Sequence, residues 1–362
     1  MKTALVHDYL NQAGGAERVV ESLHEMYPAS PIFTSFYDKK RMPEIFKSMD
    51  IRTSFMQHLP FIITLFKRYL PLYPFAFESF DLSEYDLIVS SSAAWGKGVK
   101  KRERATHICY CHSPMRFVWM RDSYLKKEKF GLLKKIILHP VLEWLKRWDI
   151  KTSKNVDHFI ANSAATAKRI KLFYGRDAAV IHPPVDTSFF KPYNGEIKDF
   201  FLIVSRLNSY KQIDLAIEAF NGLGLPLYII GKGPDEKRLK GLAKPNIRFL
   251  GKLPDDEIVK YYSQCRAYIL PGEEDFGLTP VEAQACGRPV IAFRAGGSLE
   301  SVKEGVTGLF FDRLEISSLI ETVRKFGKMS FDASKIRAHA LMFDKEVFKR
   351  KMGDFIGSKT RS

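Results

Sequence analysis

The sequence has few cysteines and no long uninterrupted apolar run. Its 362 residues include four cysteines, at positions 109, 111, 265 and 286, too few and too irregularly spaced for a disulfide framework or a CxxC metal knuckle. The most apolar stretch, residues 59–77, is broken by three prolines, a lysine and an arginine, whereas a bilayer-spanning helix needs roughly 18 apolar residues in a row. These absences argue against a disulfide-rich secreted protein and against an integral membrane protein.

The amino terminus has no feature of a secretion signal. The first ten residues, MKTALVHDYL, are interrupted by His7 and Asp8 and lack the longer apolar core of a signal peptide. Together with the few cysteines, this predicts a cytoplasmic location.

Composition predicts a folded protein of more than one domain. Hydrophobic residues make up 45% and charged residues 27% of the chain, which is typical of a globular protein. At roughly 100–200 residues per domain, the length favours two domains.

Positive charge is concentrated in one part of the chain. The formal net charge is +16, and residues 97–171 hold 19 basic and 6 acidic residues, a net charge of +13. An anionic partner for this stretch is one interpretation, and a solvated surface is the other. The sequence has no helix-turn-helix, zinc-finger or RNP aromatic pattern, so we do not expect the anion to be a nucleic acid.

Short β-rich runs alternate with helical patterns along the whole chain, which predicts two doubly wound α/β domains on parallel sheets. The paired prolines at 183–184 and the polar residues that follow indicate the break between them. We predict an N-terminal acceptor-binding domain over residues 1–185, a linker over 186–198, a C-terminal nucleotide-sugar domain over 199–345, and a C-terminal helix or tail over 346–362 that packs back on the first domain.

Two loops carry residue types suited to phosphate. Gly14 and Gly15 follow the first strand and open a helix, where backbone N–H groups can approach an anion; an ordinary strand-to-helix turn explains them equally well. Arg206 and Lys211 follow the first strand of the second domain, where a guanidinium and an ammonium can hold a diphosphate. Surface solvation is the alternative for this pair.

The strongest candidate for a functional motif is the segment from Leu270 to Gly287. It contains Glu274 and Glu282, which are eight positions apart. Glu282 has a structural alternative, because Thr279 as N-cap, Pro280 at the first helical position and Glu282 three after the cap would form a capping box. Glu274 has no such alternative.

This segment resembles the E-x7-E motif of the family-four retaining glycosyltransferases, and other motifs of that family follow in order over about residues 3–345. The resemblance implies a GT-B fold, in which two Rossmann-like doubly wound domains face a central cleft. The matching positions are Gly14 and Gly15, His112, Arg206 and Lys211, Gly231 in Gly-Lys-Gly-Pro, and Glu274 with Glu282.

The family also implies roles for these residues. His112, Arg206, Lys211 and Glu274 are expected to be catalytic: His112 beside the oxocarbenium-like sugar, Arg206 and Lys211 on the departing diphosphate, and Glu274 on hydroxyls of the transferred sugar. Glu282 is expected to accept from the donor ribose. The remaining expected donor-binding residues are Gly14, Gly15, Gly231, Lys252, Leu253, Phe276, Gly277, Leu278 and Thr279. The two cations would replace a metal, and no DxD metal motif is present, so neither metal nor cofactor is expected.

The segment CHSPMRFVW around His112 resembles the corresponding segment of a subgroup of this family. That subgroup transfers mannose from GDP-mannose during lipopolysaccharide O-antigen and related polysaccharide assembly. The base-selecting residues around 231–232 and 251–254 do not distinguish guanine from uracil, so donors such as UDP-glucose, UDP-galactose or a deoxysugar nucleotide stay open. A nucleotide-sugar epimerase with the same fold is a weaker alternative.

Residues 55–80 are rich in aromatic and aliphatic residues and belong to the same domain as the basic stretch. Together they predict peripheral contact with an anionic membrane leaflet and an acceptor glycan linked to lipid, plausibly a polyprenyl diphosphate saccharide. A hydrophobic lid packed on the domain is the alternative for residues 59–77.

Overall fold

The computed structural model describes residues 1–120, 132–193 and 195–360, and the side chains of 132–137 lie outside that description. The chain divides into two compact units. Unit 1 comprises residues 1–184 and 348–362, and unit 2 comprises residues 185–347.

Unit 1 is built on a seven-stranded parallel sheet. Its strands are β1 Thr3–His7, β2 Ile32–Thr34, β3 Ile51–Thr53, β4 Leu87–Ser92, β5 Thr106–Cys111, β6 His158–Ala161 and β7 Ala178–Val180. The order across the sheet is β3-β2-β1-β4-β5-β6-β7. The central strands are buried along almost their whole length, because helices and loops cover both faces of a parallel sheet.

Among the described residues of unit 1, six helices precede the second unit. They are α1 Gly15–Met26, α2 Ile62–Leu65, α3 Tyr73–Glu78, α4 Arg116–Trp119, α5 Leu132–Ser153 and α6 Ala164–Tyr174. Short 3-10 segments occupy residues 44–48, 55–58, 66–72 and 96–98.

Unit 2 repeats the arrangement with six parallel strands. They are β8 Phe201–Val204, β9 Leu227–Ile230, β10 Ile247–Gly251, β11 Ala267–Leu270, β12 Val290–Phe293 and β13 Gly308–Phe311, in the order β10-β9-β8-β11-β12-β13. The helices are α7 Ile213–Leu223, α8 Glu236–Leu242, α9 Asp255–Gln264, α10 Leu278–Ala285, α11 Ser298–Ser301, α12 Ile316–Phe326 and α13 Ala333–Ala340. A 3-10 turn covers Ser209–Lys211.

The last helix, α14 Lys345–Thr360, contributes Phe348, Met352 and Ile356 to a core cluster of unit 1. Among the described residues, no helix is both long enough and apolar enough to cross a bilayer.

The two predicted doubly wound sheets are present, and each has its strand order reversed at one point. In unit 1 that point lies between β1 and β4, and in unit 2 between β8 and β11. In open α/β sheets, ligands bind at this switch point, beyond the carboxyl ends of the strands. Functional side chains are therefore expected at these two sheet edges.

Candidate active site

In unit 2, the loop after β8 brings two predicted site residues to the switch point. Arg206 is exposed there, and Lys211 ends the 3-10 turn. The Lys211 ammonium donates a hydrogen bond to Oε1 of Glu274, which follows the neighbouring strand β11. Both side chains are mostly buried, at 14% and 18% exposure, so this ion pair is better shielded from water than a surface pair.

The loops around this pair pack backbone against backbone at glycines. A Cβ at Gly272 would lie 2.9 Å from the carbonyl oxygen of Lys211, and one at Gly233 would lie 2.3 Å from that of Leu207. Gly231 has a φ of +135°, and a Cβ there would lie 1.9 Å from the carbonyl oxygen of Ser205. Glycine is required at these positions because any side chain would force the loops apart.

The loop after β11 is held from its other side by two further glycines. The backbone N–H of Gly297 donates to the carbonyl of Glu274 at 2.9 Å, and Glu274 forms an isolated parallel bridge with Gly296. Phe276 is buried, and its ring packs 5.5 Å from that of Phe343. These contacts fix the backbone that carries the Glu274 side chain.

Glu282 has a different structural role from the one its spacing indicated. Helix α10 begins at Leu278 with Gly277 as its N-cap, and no side chain caps it. Thr279 therefore lies inside the helix, and its Oγ1 is 2.8 Å from the hydroxyl of Tyr268. The predicted capping box of Thr279, Pro280 and Glu282 is wrong, because Gly277 (φ +84°) is the N-cap and the helix starts two residues earlier than a Thr279 cap requires.

Glu282 is instead 5% exposed and accepts a hydrogen bond from the Tyr262 hydroxyl at 2.9 Å. The hydroxyl of Tyr268 donates to the carbonyl of Val204 at 3.1 Å, which ties β11 to the end of β8. Burial raises the pKa of Tyr268 well above its ordinary value. Nothing in the sequence distinguished these two tyrosines from ordinary core residues.

The other predicted donor-binding residues of unit 2 lie farther along the same sheet edge. Gly231 follows β9, and its N–H donates to the carbonyl of Gly251 at 2.7 Å. Lys252 is exposed and Leu253 half-buried just beyond β10. Lys252 and Leu253 follow β10, which is separated by β9 and β8 from β11, the strand that Glu274 follows. Arg206 and Lys211 follow β8 and therefore lie between these two groups of residues along the sheet edge.

In unit 1, His112 follows β5 and is held on three sides. Its N–H donates to the carbonyl of Ser92 at 2.9 Å, and its own carbonyl accepts from Asn162 Nδ2 at 3.0 Å. Its ring Nε2 lies 2.8 Å from the hydroxyl of Ser91. The ring centroid of Tyr110 lies 5.2 Å from that of the imidazole, in an edge-to-face arrangement. His112 thus lies at the carboxyl edge of the sheet, one strand from the switch point.

Gly14 and Gly15 stand at the start of α1, after β1. Gly14 is the N-cap, and no side chain caps the helix. A Cβ at Gly14 would lie 2.9 Å from Oε2 of Glu17, so the turn tolerates no larger residue without moving that carboxylate.

Sequence reasoning missed a carboxylate of unit 1 that accepts five hydrogen bonds. Asp8 is 4% exposed and accepts from the backbone N–H groups of residues 93–96 at 2.6–2.9 Å. The hydroxyl of Ser92 donates to it as well, at 3.1 Å. The only signal in the sequence was an aspartate placed directly after a buried strand.

Two Rossmann-like sheets, each with polar and charged side chains at its switch point, define the class of proteins with the GT-B fold. Family models for Glycosyltransferase Family 4 and for Glycosyl transferases group 1 match residues 13–189 and 185–340 respectively. The chain therefore carries a Glycosyltransferase Family 4 domain followed by a Glycosyl transferases group 1 domain.

Similar proteins extend this assignment. The chain is 28% identical over 201 residues to D-inositol 3-phosphate glycosyltransferase of Thermomonospora curvata, covering 45% of this chain and 47% of that protein. It is 34% identical over 118 residues to GDP-mannose-dependent alpha-mannosyltransferase of Corynebacterium glutamicum, covering 32% and 28%. The chain thus spans less than half the length of these curated relatives. The solved structure of Anabaena HepE with UDP and glucose matches 99% of this chain and 100% of its own at a TM-score of 0.75 and 19% identity, a likeness of fold.

Proposed function

We propose that this protein is a retaining glycosyltransferase that moves mannose from GDP-mannose onto a lipid-linked glycan in polysaccharide or lipopolysaccharide biosynthesis. The observation that carries the proposal is the grouping of Arg206, Lys211 and Glu274 at the switch point of unit 2. The adjacent helix α10 begins without a side-chain cap, which leaves backbone N–H groups and the positive end of the helix dipole for an anion.

The chemistry follows from where charge develops during the transfer. When the bond between sugar and diphosphate breaks, negative charge grows on the leaving oxygen, and fixed cations there lower the barrier. Arg206 and Lys211 supply two such cations, and the proposed reaction uses no metal. Glu274 binds Lys211 through Oε1, and its Oε2 is the oxygen we assign to a hydroxyl of the transferred sugar.

The other predicted residues take complementary roles in this proposal. Glu282 accepts from the ribose hydroxyls of the donor, and the backbone of residues 276–279 lies near the phosphates. In unit 1, His112 stabilises the positive charge of the oxocarbenium-like sugar, and Gly14 and Gly15 present backbone N–H groups to the donor.

A ligand screen by thermal shift tests the donor. GDP and GDP-mannose are expected to stabilise the protein more than UDP, ADP and their sugar conjugates, since a ligand at 100 times its Kd adds about 2.7 kcal/mol. Transfer from GDP-mannose should then persist in EDTA. Stabilisation by UDP compounds alone would overturn the mannose assignment, and stabilisation by none of them would overturn the whole proposal.

A UDP-sugar donor is the second candidate, favoured by the likeness of fold to HepE, whose structures include complexes with UDP and with UDP-glucose. The residues around Gly231, Lys252 and Leu253 would select the base in either case. Product analysis also separates both transferases from an epimerase, since an epimerase changes the sugar nucleotide without releasing a nucleoside diphosphate.

We also propose that unit 1 binds an anionic membrane surface. Within the predicted aromatic segment, Tyr73 and Phe77 are buried in the core, whereas Phe61 and Phe75 are 76% and 58% exposed. The ring of Trp144 on α5 stacks 6.0 Å from that of Phe75. Exposed aromatic rings suit the interface between lipid headgroups and acyl chains, so the lid interpretation accounts only for the buried half of the segment.

Basic side chains accompany these rings. Lys67 and Arg68 are exposed within the same segment. Five further lysines of the predicted basic stretch lie outside the described residues or side chains: Lys126, Lys127, Lys129, Lys134 and Lys135. Each Lys or Arg near an anionic leaflet adds roughly 1 kcal/mol of attraction.

Vesicle sedimentation tests this surface. Binding to anionic vesicles is expected to exceed binding to zwitterionic ones at low salt and to weaken by about 0.5 M salt, where the Debye length falls to roughly 4 Å. The double variant Phe61→Ser, Phe75→Ser and the neutralised five-lysine variant should both reduce it. Phe189→Ser, which changes a 42% exposed ring in unit 2, is the matched control. No preference for anionic vesicles in the wild type would refute the membrane proposal.

A further inference from the structure

A continuous line of polar contacts runs in unit 1 from the start of α1 to the ring of His112. Glu17 Oε1 lies 3.7 Å from Nε2 of His7, and His7 Nδ1 is 2.9 Å from the carbonyl oxygen of Ser91. The hydroxyl of Ser91 then lies 2.8 Å from Nε2 of His112. The line crosses two neighbouring strands, β1 and β4, and ends on a third, β5.

The first half of this line has defined proton positions. A carbonyl oxygen only accepts, so Nδ1 of His7 carries the proton that it donates to Ser91. The opposite nitrogen faces the Glu17 carboxylate, and both side chains are 4% exposed. Burial disfavours the imidazolium, but the hydrogen bond and charge of Glu17, together with Asp8, outweigh burial and raise the pKa of His7.

The second half restricts the only remaining freedom of His112. Its backbone N–H and carbonyl are already bound to Ser92 and Asn162, so the imidazole can move only by rotating its side chain. Ser91 is 1% exposed, and its carbonyl is bound to His7. Its hydroxyl therefore meets the imidazole from a fixed position, and the hydrogen bond to Nε2 limits rotation of the ring.

We propose that Ser91 is a positioning residue that sets the orientation of the His112 ring, and that the His7–Glu17 pair holds Ser91 in place. Glu17 also lies against Gly14, since a Cβ there would be 2.9 Å from its Oε2. The same carboxylate thus links the Gly14–Gly15 turn to the imidazole of His112. The inference rests on the proposed function, which assigns His112 to the reacting sugar.

The strand itself offers a matched control. Ser90 Oγ lies 2.8 Å from Nε2 of His107, the same pair of groups at the same distance. Both Ser90 and His107 are fully buried, and His107 is at the amino half of β5, away from the switch point. Ser90→Ala and Ser91→Ala therefore remove equivalent bonds, and only the second touches His112.

The experiment compares these two variants in the full-length chain. Two quantities are measured: the 15N resonances of the His112 ring, assigned by their loss in His112→Gln, and kcat and KM for the nucleotide sugar. Ser91→Ala is expected to change the His112 resonances and to lower kcat about 10–100-fold with little change in KM. Ser90→Ala should leave both unchanged. Glu17→Gln, which keeps a polar partner for His7, should lower kcat less than Ser91→Ala.

Unchanged His112 resonances in Ser91→Ala, or an equal loss of kcat in Ser90→Ala, would overturn the inference. If Ser91→Ala fails to fold, Glu17→Gln and Glu17→Leu replace it, and wild-type kcat and His112 resonances in both would overturn the inference as well. A wild-type protein that turns over no nucleotide sugar would refute the proposed function instead, and the resonances would still decide whether Ser91 controls His112.

Discussion

The two switch points have the same topology but differ in the charged groups beside them. A buried carboxylate lies at the one in unit 1, and exposed cations lie at the one in unit 2. In unit 1, four successive backbone N–H groups after β4 point at the carboxylate of Asp8, which is part of the chain. In unit 2, the loop after β11 leads into a helix with no side-chain cap. The exposed cations Arg206, Lys232 and Lys252 lie along the same edge.

This difference shows how one fold makes two kinds of edge. Clustered backbone N–H groups bind phosphate and carboxylate alike, so Asp8 occupies in unit 1 the position that an external anion would take. In unit 2 the N-cap of α10 is Gly277, which has no side chain, and the cations Arg206, Lys232 and Lys252 are exposed. Under the proposed function, unit 2 therefore binds the phosphates of the donor, and unit 1 supplies His112 from an edge whose N–H groups are already bound by Asp8.

Removing Asp8 should have the largest effect. Asp8→Ala leaves four backbone N–H groups without their acceptor, three of them on buried residues. It is expected to cost at least about 3 kcal/mol of unfolding free energy. Urea unfolding followed by tryptophan fluorescence measures it, because all four tryptophans lie in unit 1, at positions 95, 119, 144 and 148.

Asp50→Ala is the matched control for Asp8→Ala. It removes an exposed carboxylate paired with Arg52, and such pairs contribute about 0–1 kcal/mol. If the N–H cluster is equivalent to a phosphate site, added sulfate should stabilise Asp8→Ala more than the wild type. A loss no larger than that of Asp50→Ala would contradict the comparison.

Removing the cations of unit 2 should weaken binding and leave unit 1 intact. Arg206→Ala and Lys211→Ala are each expected to weaken nucleoside diphosphate binding by about 1.5–3 kcal/mol, since each deletes a charged hydrogen bond to phosphate. Calorimetric titration with GDP measures this. Lys237→Ala removes an exposed positive charge from helix α8 of the same unit and should bind as the wild type does. Wild-type affinity in the double variant would disprove the phosphate role.

Glu282→Gln should have a smaller effect, and it separates binding from structure. Glutamine can still accept from Tyr262, so the fold is retained, but the charged acceptor for the ribose is lost and donor affinity should fall by about 1–2 kcal/mol. Tyr262→Phe deletes the structural hydrogen bond and keeps the carboxylate. Equal donor affinity in Glu282→Gln and wild type at matched Tm would return Glu282 to a purely structural role.

The last prediction concerns the dependence of unit 1 stability on pH. Burial lowers the pKa of His107 to about 4, so His107 contributes stability that is present above its ordinary value of about 6.5 and lost as pH falls toward 4. His7 has a raised pKa, so its contribution is complete below about 6.5 and is lost as pH rises through the folded-state value.

Fluorescence-monitored unfolding of His107→Asn and His7→Asn from pH 4 to pH 9 measures both contributions. His107→Asn should flatten the acidic limb of the stability curve, and His7→Asn should flatten the limb on the other side. Identical pH profiles for the two variants would contradict the assignment.

The sequence predicted the central strands because each is a buried apolar run, such as Phe201–Val204, bounded by polar residues. It missed β3 and β7, since each has only three residues, lies at a sheet edge and is partly exposed. It also missed the edge strand β13, which has four residues and is buried. Arg206, Lys211 and Glu274 could be predicted from the sequence because they lie on loops that follow strands.

Hydrogen-bond partners that are distant in the sequence could not be predicted from it. Asp8 binds N–H groups some 85 positions away, and Glu282 binds Tyr262 from another helix. Every residue type except proline has a backbone N–H group, so the sequence does not mark which of them bind a carboxylate. A tyrosine within an apolar pattern is predicted to be an ordinary core residue. The N-cap error at Thr279 has a similar cause, because the left-handed turn at Gly277 depends on how the loop packs.

The interlocking of Gly231 with Ser205, Gly233 with Leu207 and Gly272 with Lys211 has a consequence for anyone who wants to alter donor choice. These three loops move only together, so a substitution at any of the glycines would disturb all of them at once. Mutagenesis libraries are better placed at Lys232, Lys252 and Leu253, whose side chains can be exchanged without displacing the backbone that carries Arg206 and Lys211.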